Sequence, residues 1–237
     1  MTAPASRPRV ALVGMGKMGL AIRLLAEERG VAVVATLDRD DAVDATSLAG
    51  ADVAIEFSEP GSAVTNVRAC LAARCPVVVG TTGWLDALPA LTEEIARGGG
   101  RLLWSANFSL GVNILLQLAA VAGRLVRDRG FDAAIVETHH AAKKDAPSGT
   151  ALAIARAAEP AFGRAIPTAS VRVGHVPGTH ALVLDAPFEQ LRLVHDARDR
   201  RVFAEGALVA ARWIVGRRGV FTMADVLNAD LLAFIKS

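Results

Sequence analysis

The glycine-rich segment GMGKMG, residues 14–19, most constrains the fold of this chain. It follows the β-branched run Arg9–Val13 and precedes a helical pattern from Leu20 to Arg29. A second apolar run, Val31–Leu37, comes next and is followed by Asp38. A strand, a G-x-G-x-x-G turn, a helix and a second strand closed by an acid are typical of a dinucleotide-binding βαβ unit.

Each residue type in this loop suits a dinucleotide. Gly14 allows a tight turn, Gly16 lets a pyrophosphate approach the backbone, and Gly19 lets the helix pack against the strand. Asp38 can accept hydrogen bonds from ribose hydroxyls, which suits NADH, whereas Arg39 can pair with a 2′-phosphate, which suits NADPH. The pair predicts a relaxed preference between NADH and NADPH, and the alternative is a purely structural βα turn.

The alternation of strands and helices continues to residue 104. Further apolar runs and helix-length segments follow in turn: Asp52–Phe57, Ser62–Ala73, Pro76–Val79, Leu88–Arg97 and Arg101–Trp104. This order predicts a Rossmann-type α/β fold with a doubly wound parallel sheet. The loops GTTGW, residues 80–84, and SANFSLGVN, residues 105–113, follow the fourth and fifth strands. Ligands bind beyond such strand ends, so both loops are expected near the nicotinamide half of the cofactor, although their composition also suits ordinary turns.

After Trp104 the pattern changes to that of a smaller α+β domain with a mixed, largely antiparallel sheet. The predicted elements are a helix over Val112–Arg127, a strand over Ala133–Glu137, a helix over Thr150–Ala158, an antiparallel pair over His180–Asp185 and Gln190–His195, a helix over Ala207–Val215, and a helix from Ala224. We therefore expect a dinucleotide-binding domain over 1–108, completed by 217–237, and a substrate-binding and oligomerisation domain over 109–216.

Composition excludes several classes of protein. The 26 basic and 24 acidic residues leave a net charge of only +2, which argues against a nucleic-acid or membrane-surface protein. Cys70 and Cys75 form neither a metal nor a redox pattern, so we expect both to be reduced and structural, and we expect no metal site. The opening MTAPASRPRV has no apolar secretory segment, and no apolar run is long enough to span a membrane, so a cytoplasmic protein is expected.

The segment ETHHAAKKDAPSGT, residues 137–150, concentrates titratable groups in a chain that is 52% hydrophobic. His139 can donate a proton, and Lys143 can return to the same pocket as a cation. Ser148, Gly149 and Thr150 precede a helix, whose first N–H groups can seat a carboxylate. Each feature alone is typical of turns and surfaces, but together they predict a site for a small anionic substrate.

These residues resemble the signature E-x-H-H-x-x-K-x-D-A-P-S-G-T-A of the 4-hydroxy-tetrahydrodipicolinate reductase (dihydrodipicolinate reductase) family. The segments EFSEP, GTTGW, SANFSLGVN, EGALVAARWI and GVFTMADVL are also similar to family segments and occur in the same order. The resemblance implies reduction of a cyclic imine dicarboxylate by NADH or NADPH in lysine and diaminopimelate biosynthesis. Hydride is then expected at ring C4 once the 4-hydroxyl has left as water.

The resemblance also implies roles for individual residues. His139 is matched to the proton donor and Lys143, rather than Lys144, to the second catalytic residue. Substrate contacts are implied for His140, Ser148, Gly149 and Thr150. Cofactor contacts are implied for Gly14, Met15, Gly16, Lys17, Met18, Gly19, Asp38, Arg39, Gly80, Thr81, Thr82, Ser105, Ala106, Asn107 and Phe108.

Three departures from the family pattern accompany the resemblance. The glycine loop is one residue shorter than the common G-x-x-G-x-M-G form, Ser105 replaces an alanine, and the second domain's sheet region is short. The family is a homotetramer joined through that sheet, so a homotetramer is expected, with a dimer as the alternative.

Other classes of protein remain open alternatives to different degrees. A short-chain dehydrogenase needs a catalytic tyrosine, and this chain has none. The runner-up is another NAD(P)-dependent amino-acid dehydrogenase, of the homoserine or aspartate type, which would not need the His-His-x-x-Lys stretch. A dinucleotide-sensing regulator would need a DNA-binding module or a basic face, and the sequence offers neither.

Overall fold

The computed structural model describes the backbone of residues 8–235 and the side chains of residues 8–229. These residues form two compact units. The first contains the described residues up to Phe108 together with those from Phe203 onward, and the second contains Ser109–Val202.

The first unit is built on a six-stranded sheet in which every neighbouring pair is parallel. Its strands are β1 (Val10–Val13), β2 (Val33–Leu37), β3 (Val53–Glu56), β4 (Val77–Val79), β5 (Arg101–Trp104) and β10 (Gly219–Phe221). The spatial order is β10-β5-β4-β3-β1-β2, so β1 pairs with both β2 and β3 and the winding reverses there. Ligands of doubly wound sheets bind beyond the strand ends at such a reversal.

The helices of this unit are α1 (Lys17–Glu28), α2 (Pro60–Ala72), α3 (Leu88–Gly98), α6 (Arg201–Ile214) and α7 (Met223–Ile235), with a short 3-10 helix at Leu85–Ala87. The strands β1 and β4 are buried along their whole length, which is why they read as continuous apolar runs rather than as alternating ones. Strand β3 is also fully buried, including Glu56 at its end. The predicted Rossmann-type parallel sheet is confirmed.

The second unit places two helices beside a four-stranded sheet. Its elements are α4 (Leu110–Val126), β6 (Asp132–His139), α5 (Gly149–Phe162), β7 (Thr168–Arg172), β8 (Thr179–Ala186) and β9 (Glu189–Asp196). The strand order is β7-β6-β8-β9, with β6 parallel to β7 and antiparallel to β8, and β8 antiparallel to β9. The predicted mixed, largely antiparallel sheet is therefore confirmed.

The core of the second unit lies between one sheet face and the two helices. Ile135 and Leu182 are opposite each other in the β6–β8 register and pack with Leu115 of α4 and Ile154 of α5. Because side chains alternate along a strand, the residues two positions along from Ile135 also face the helices. Glu137 occupies that position, so a carboxylate lies at the polar end of an apolar core.

Two strands were missing from the sequence prediction. Strand β7, with the sequence TASVR, is short, polar and mostly exposed, and β10 has only three residues. Neither carries the apolar alternation that identifies a strand from sequence. Both are edge strands and neither contains a buried residue, so neither needs an apolar face.

Helix α6 begins at Arg201, six residues earlier than predicted, and from Phe203 onward it belongs to the first unit. The second unit therefore ends at Val202, whereas the sequence suggested residue 216. The close packing of Gly206 against Phe108 explains this, because a Cβ at Gly206 would lie 1.6 Å from the Phe108 carbonyl oxygen. The assignment of cofactor and substrate binding to the two units stays a prediction.

Both cysteines are buried and unpaired by disulfide. Burial raises the pKa of both thiols, that of Cys75 to about 11, so both are protonated at neutral pH. Within the described part of the chain, no helix is both long and apolar enough to cross a membrane.

Candidate active site

The candidate catalytic histidine lies at the end of β6, next to a buried acid. Glu137 and His139 are two residues apart, so both side chains leave the strand on the helix-facing side. The Nδ1 atom of His139 is hydrogen-bonded to Oε2 of Glu137. Glu137 is fully buried, and His139 keeps 8% of its surface exposed. This arrangement gives the imidazole a fixed orientation.

Arg172, at the end of β7, neutralises the buried carboxylate. Its two terminal nitrogens donate to Glu137, Nη2 to Oε1 at 2.7 Å and Nη1 to Oε2 at 3.0 Å. The parallel register aligns Arg172 with His139, which brings the guanidinium to the same end of the sheet. Arg172 Nη2 also donates to the carbonyl oxygen of Asp145 at 2.6 Å. One side chain thus holds both the acid and the following loop.

Helix α5 begins beside the same carboxylate. The backbone N–H of Ser148 donates to Glu137 Oε1 at 3.2 Å, and the Ser148 hydroxyl caps the helix by accepting from Ala151 N at 3.2 Å. The hydroxyl also lies 3.1 Å from Nε2 of His180, on β8. Ser148 is 2% exposed, so its hydroxyl serves the helix start and His180, whereas Gly149 is exposed with open space around its Cα.

The loop between β6 and α5 carries the candidate cation. Lys143 Nζ lies 2.8 and 2.9 Å from the two carboxylate oxygens of Asp145. The loop is fixed by a turn from Lys143 N to the His140 carbonyl, at 3.1 Å, and by Ala141 N to the Gly174 carbonyl, at 3.1 Å. Lys143 is partly buried, whereas Lys144 is exposed, and the assignment of the first lysine to the site stays a prediction.

The pKa values at the site follow from burial and charge. Burial opposes ionisation of Glu137, but hydrogen bonds from Arg172, Ser170 and His139 outweigh it and lower the pKa of the carboxyl to about 2. Burial lowers the pKa of His139, although Glu137 works in the opposite direction. Burial, with a contribution from His139, lowers the pKa of His180 to about 4. Glu137 is therefore an anion and His180 is neutral near pH 7.

Glu137, His139 and His180 could each offer a metal ligand atom, and these atoms lie within 4.8 Å of one another. Arg172, however, already engages both carboxylate oxygens of Glu137 and supplies the positive charge that a metal ion would bring. The arrangement therefore suits the positioning of an imidazole better than the binding of a metal.

In the first unit, the glycine loop forms part of a pocket. Gly14 adopts φ +89°, and a Cβ there would lie 2.3 Å from the Phe57 carbonyl oxygen, so only glycine fits. A Cβ at Gly19 would lie 2.1 Å from the Gly14 carbonyl oxygen, whereas the space around Gly16 is open. The pocket is lined by Val13, Gly14, Gly16, Asp38, Arg39, Asp41, Val43, Phe57, Ser58, Glu59, Ser62 and Asn66.

This pocket suits a dinucleotide. Gly16 is the N-cap of α1 and carries no side chain, so a phosphate can approach the helix start closely. Asp38 Oδ1 accepts from Met15 N at 3.4 Å, which places the acid beside the glycine loop. Arg39 Nη2 lies 3.4 Å from Glu59 Oε2, and both side chains are largely exposed.

The remaining predicted cofactor residues lie in the glycine loop, on α1 or near the carboxyl ends of other strands. Gly80 packs against the Phe57 ring, Thr81 accepts from Trp84 Nε1 at 2.7 Å, and Asn107 N donates to Ser105 Oγ at 3.1 Å. Of the others, Lys17, Thr82 and Ala106 are exposed, Met15 and Met18 are partly buried, and Phe108 is buried.

Sequence reasoning missed roles for Arg172, His180 and Asp145. Arg172 lies on a strand that the sequence did not reveal, and His180 is the second residue of a strand that reads as ordinary apolar sheet. Only Asp145 carried a signal, its place in the motif two residues after Lys143. The register between β6, β7 and β8 brings these side chains together, and a single sequence does not specify that register.

Fold and site together define a dinucleotide-binding α/β protein whose second unit carries an imidazole, a cation and a helix N-terminus. The protein-family model "Dihydrodipicolinate reductase, N-terminus" matches residues 8–108 of this chain. The family model "Dihydrodipicolinate reductase, C-terminus" matches residues 111–227. The chain belongs to the dihydrodipicolinate reductase family. The family assignment favours this class over the amino-acid dehydrogenase and regulator alternatives.

Relatives of similar length share much of the sequence. The 4-hydroxy-tetrahydrodipicolinate reductase of Gluconobacter oxydans is 40% identical, and the alignment covers 94% of this chain and 98% of that protein. The 4-hydroxy-tetrahydrodipicolinate reductase of Christiangramia forsetii is 35% identical, with 92% and 97% covered. The alignments therefore span nearly the whole of each protein.

A solved structure has a similar fold. Dipicolinate-bound dihydrodipicolinate reductase from Paenisporosarcina sp. TG-14 superposes with a TM-score of 0.81 at 23% identity, covering 91% of this chain and 97% of that one. The diaminopimelate dehydrogenase of C. glutamicum superposes with a TM-score of 0.58 at 13% identity, covering 96% and 99%. These likenesses concern the fold.

The lowered pKa of His180 predicts acid-sensitive stability. The folded protein holds this imidazole neutral down to about pH 4, whereas the unfolded chain protonates it near pH 6.5. The stabilisation is therefore complete above pH 6.5 and is lost as the pH falls towards 4, by on the order of 3 kcal/mol at most. Urea unfolding of His180→Asn between pH 7 and pH 4 should show a clearly weaker pH dependence than wild type.

His175→Asn is the matched control, because His175 is exposed. This variant should follow the wild-type pH dependence. If His180→Asn and wild type lost the same free energy of unfolding on acidification, burial of a neutral His180 would not be a source of acid sensitivity.

Proposed function

We propose that this protein reduces 4-hydroxy-tetrahydrodipicolinate to tetrahydrodipicolinate, with loss of water, at the expense of NADH or NADPH. The observation that carries the proposal is the arrangement around Glu137, in which His139, Lys143 and the start of α5 meet at one end of the second sheet. Such a site suits a small substrate that bears carboxylates and takes up a proton.

His139 is the proposed proton donor. With Nδ1 bonded to Glu137, the proton to be delivered resides on Nε2. Gly178 lies beside this nitrogen and places no side chain against it, since a Cβ there would lie 3.0 Å from Nε2. NADH or NADPH supplies the hydride when bound, and His139 supplies the proton that completes the reduction.

The anionic substrate is held by a cation and a helix start. Lys143 exchanges its contact with Asp145 for a substrate carboxylate and polarises the conjugated imine. The first N–H groups of α5, at Gly149 and Thr150, seat a carboxylate with the help of the helix dipole. His140 is a proposed substrate contact, and Ser148 contributes by fixing the start of the helix.

The proposed cofactor site is the pocket of the first unit. Gly14, Gly16 and the start of α1 hold the pyrophosphate, and Asp38 holds the adenosine ribose. Arg39 accommodates the 2′-phosphate of NADPH once it leaves Glu59, so both cofactors are used. The loops at residues 80–82 and 105–108 complete the site on the nicotinamide side.

We propose a cytoplasmic homotetramer that assembles through the second sheet. Leu182 and Leu193 face the helices, so Val171 and Val194 point from the opposite face, where they are 44% and 49% exposed. Phe188, in the β8–β9 turn, is fully exposed. Apolar side chains on an uncovered sheet face favour association, and a dimer is the alternative for this short sheet.

The activity is tested with enzymatically made 4-hydroxy-tetrahydrodipicolinate. Loss of nicotinamide absorbance should occur with NADH and with NADPH and should require the substrate, because the proposed reaction couples the two. An absence of turnover with both cofactors would overturn the proposed function.

The roles of the loop residues predict different kinetic effects. His139→Gln should lower kcat by about 100-fold or more with little change in KM, because general acid catalysis contributes 10²–10⁴-fold. Lys143→Ala should lower kcat and also raise KM by about tenfold, because Lys143 both binds and polarises the substrate. Steady-state kinetics at one pH measures both effects.

Lys144→Ala is the matched control for Lys143→Ala, since Lys144 is the exposed neighbour. It should retain wild-type kcat and KM. Wild-type rates in both His139→Gln and Lys143→Ala would show that this loop does not perform the chemistry.

The cofactor assignment predicts a selective effect of Arg39→Ala. Removal of the guanidinium should raise the Kd for NADPH about tenfold and leave the Kd for NADH nearly unchanged, because only NADPH carries the 2′-phosphate. Titration of nicotinamide fluorescence measures both constants. A strong preference for NADPH that survives Arg39→Ala would contradict the proposed division between Asp38 and Arg39.

A further inference from the structure

The site contains two charged residues to which neither the motif nor the proposed reaction gives a task. Glu137 is fully buried, and the Arg172 side chain keeps 18% of its surface exposed. Burial of a carboxylate is costly unless it is paired, and a pair must supply well-directed hydrogen bonds to be tolerated. Glu137 accepts from the Arg172 guanidinium, from Ser148 N and from His139.

We propose that Glu137 and Arg172 are a buried positioning pair that sets the tautomer and charge of His139, and that Arg172 also anchors the Lys143 loop. This inference rests on the proposed function, because it assigns tasks within the same reaction. It identifies positioning residues, since neither side chain is required to touch the substrate.

Glu137 determines which nitrogen of His139 carries the exchangeable proton. A carboxylate accepts hydrogen bonds only, so Nδ1 must be the donor and keeps its hydrogen in both charge states. Protonation and deprotonation then take place at Nε2, the nitrogen next to Gly178. Without this contact, neutral His139 could carry its hydrogen on either Nδ1 or Nε2, so only part of the population would have the hydrogen on Nδ1.

Glu137 also opposes the other charges around His139. Lys143 from the loop and Arg172 from β7 disfavour the imidazolium, and the neutral His180 from β8 contributes no charge. Among the described groups that face this imidazole, Glu137 is the one anion in contact with it. The carboxylate therefore keeps a protonated His139 accessible in a buried, otherwise cationic place.

Arg172 connects Glu137 to the loop that carries Lys143. Its Nη2 atom reaches both Glu137 Oε1 and the Asp145 carbonyl oxygen, at 2.7 and 2.6 Å. Asp145 in turn holds Lys143 through its carboxylate. A rigid guanidinium can span these partners at once, whereas a lysine ammonium is a single point of attachment. The positions of His139 and Lys143 are thus linked through Arg172.

The pair is tested first by NMR of the unliganded full-length protein. In wild type, the His139 resonances, assigned by their loss in His139→Gln, should show hydrogen on Nδ1 and titration at Nε2. Glu137→Gln should lower the pKa of His139 by about one unit or more and should mix the tautomers, because an adjacent opposite charge shifts a pKa by 1–3 units. Glu189→Gln, which removes an exposed acid on β9, is the control.

The same change should appear in the pH profile of turnover. His139 must be protonated to act as the donor, so kcat falls as the pH rises through its pKa. A lower pKa in Glu137→Gln moves this limb to lower pH, and the loss of activity is greater at pH 8 than at pH 6. A uniform loss of kcat at every pH, with unchanged imidazole titration and tautomer, would overturn the role of Glu137.

Arg172→Lys is a milder variant that keeps the positive charge. It should raise the substrate KM about threefold or more, because the loop loses its anchor, and should move the pH limb much less than Glu137→Gln does. Arg164→Lys, at an exposed ion pair with Asp132, is the control. A wild-type KM in Arg172→Lys would overturn the anchoring role.

The NMR result is independent of turnover and separates the two proposals. If the protein shows the expected titration but has no reductase activity, the positioning pair is supported and the proposed function is refuted. If the protein has reductase activity but the titration and tautomer of His139 do not change in Glu137→Gln, the proposed function is supported and the positioning pair is refuted.

Discussion

The second unit depends on the burial of one carboxylate. Glu137 lies near the C-terminal end of β6. It is on the same face of the strand as Ala133 and Ile135, which pack against the helices. An anion in this place requires several donors, and they come from three directions: Arg172 on β7, Ser148 at the start of α5 and His139 on the same strand. The edge strand, the helix start and the imidazole are therefore held in relation to one another by a single side chain.

The first unit depends instead on close approach of backbone to backbone. A Cβ at Gly14 would overlap the carbonyl oxygen of Phe57, and one at Gly19 would overlap that of Gly14. The glycines thus bring the β1–α1 turn against the end of β3, at the point where the winding of the sheet reverses. Asp38, at the end of β2, borders the same pocket. Close approach of backbone thus shapes this turn, whereas a buried charge organises the candidate site of the second unit.

This difference explains what the sequence could predict. Steric requirements can be recognised from a short segment, because the glycine pattern between a strand and a helix occupies only six residues. The parallel sheet is predicted by the alternation of strands and helices. The motif from Glu137 to Thr150 also lies in one continuous stretch. Arg172 and His180 are 35 and 43 positions from Glu137 in the chain and contribute through strand register, which neighbouring residues do not reveal. Strand β7 has no apolar pattern at all, so its arginine could not be placed.

His139 and His140 have the same side chain, and the geometry of β6 gives them different surroundings. Side chains alternate along β6, so Glu137 and His139 share the buried face, whereas His140 follows the end of the strand and is only partly buried. A His at either position could hold a proton, but only one of them lies two residues from an acid on the same face. The spacing E-x-H in an extended strand is thus itself a physical requirement. It gives His139 a carboxylate partner on the buried face, whereas His140 lies beyond the end of the strand and outside this alternation.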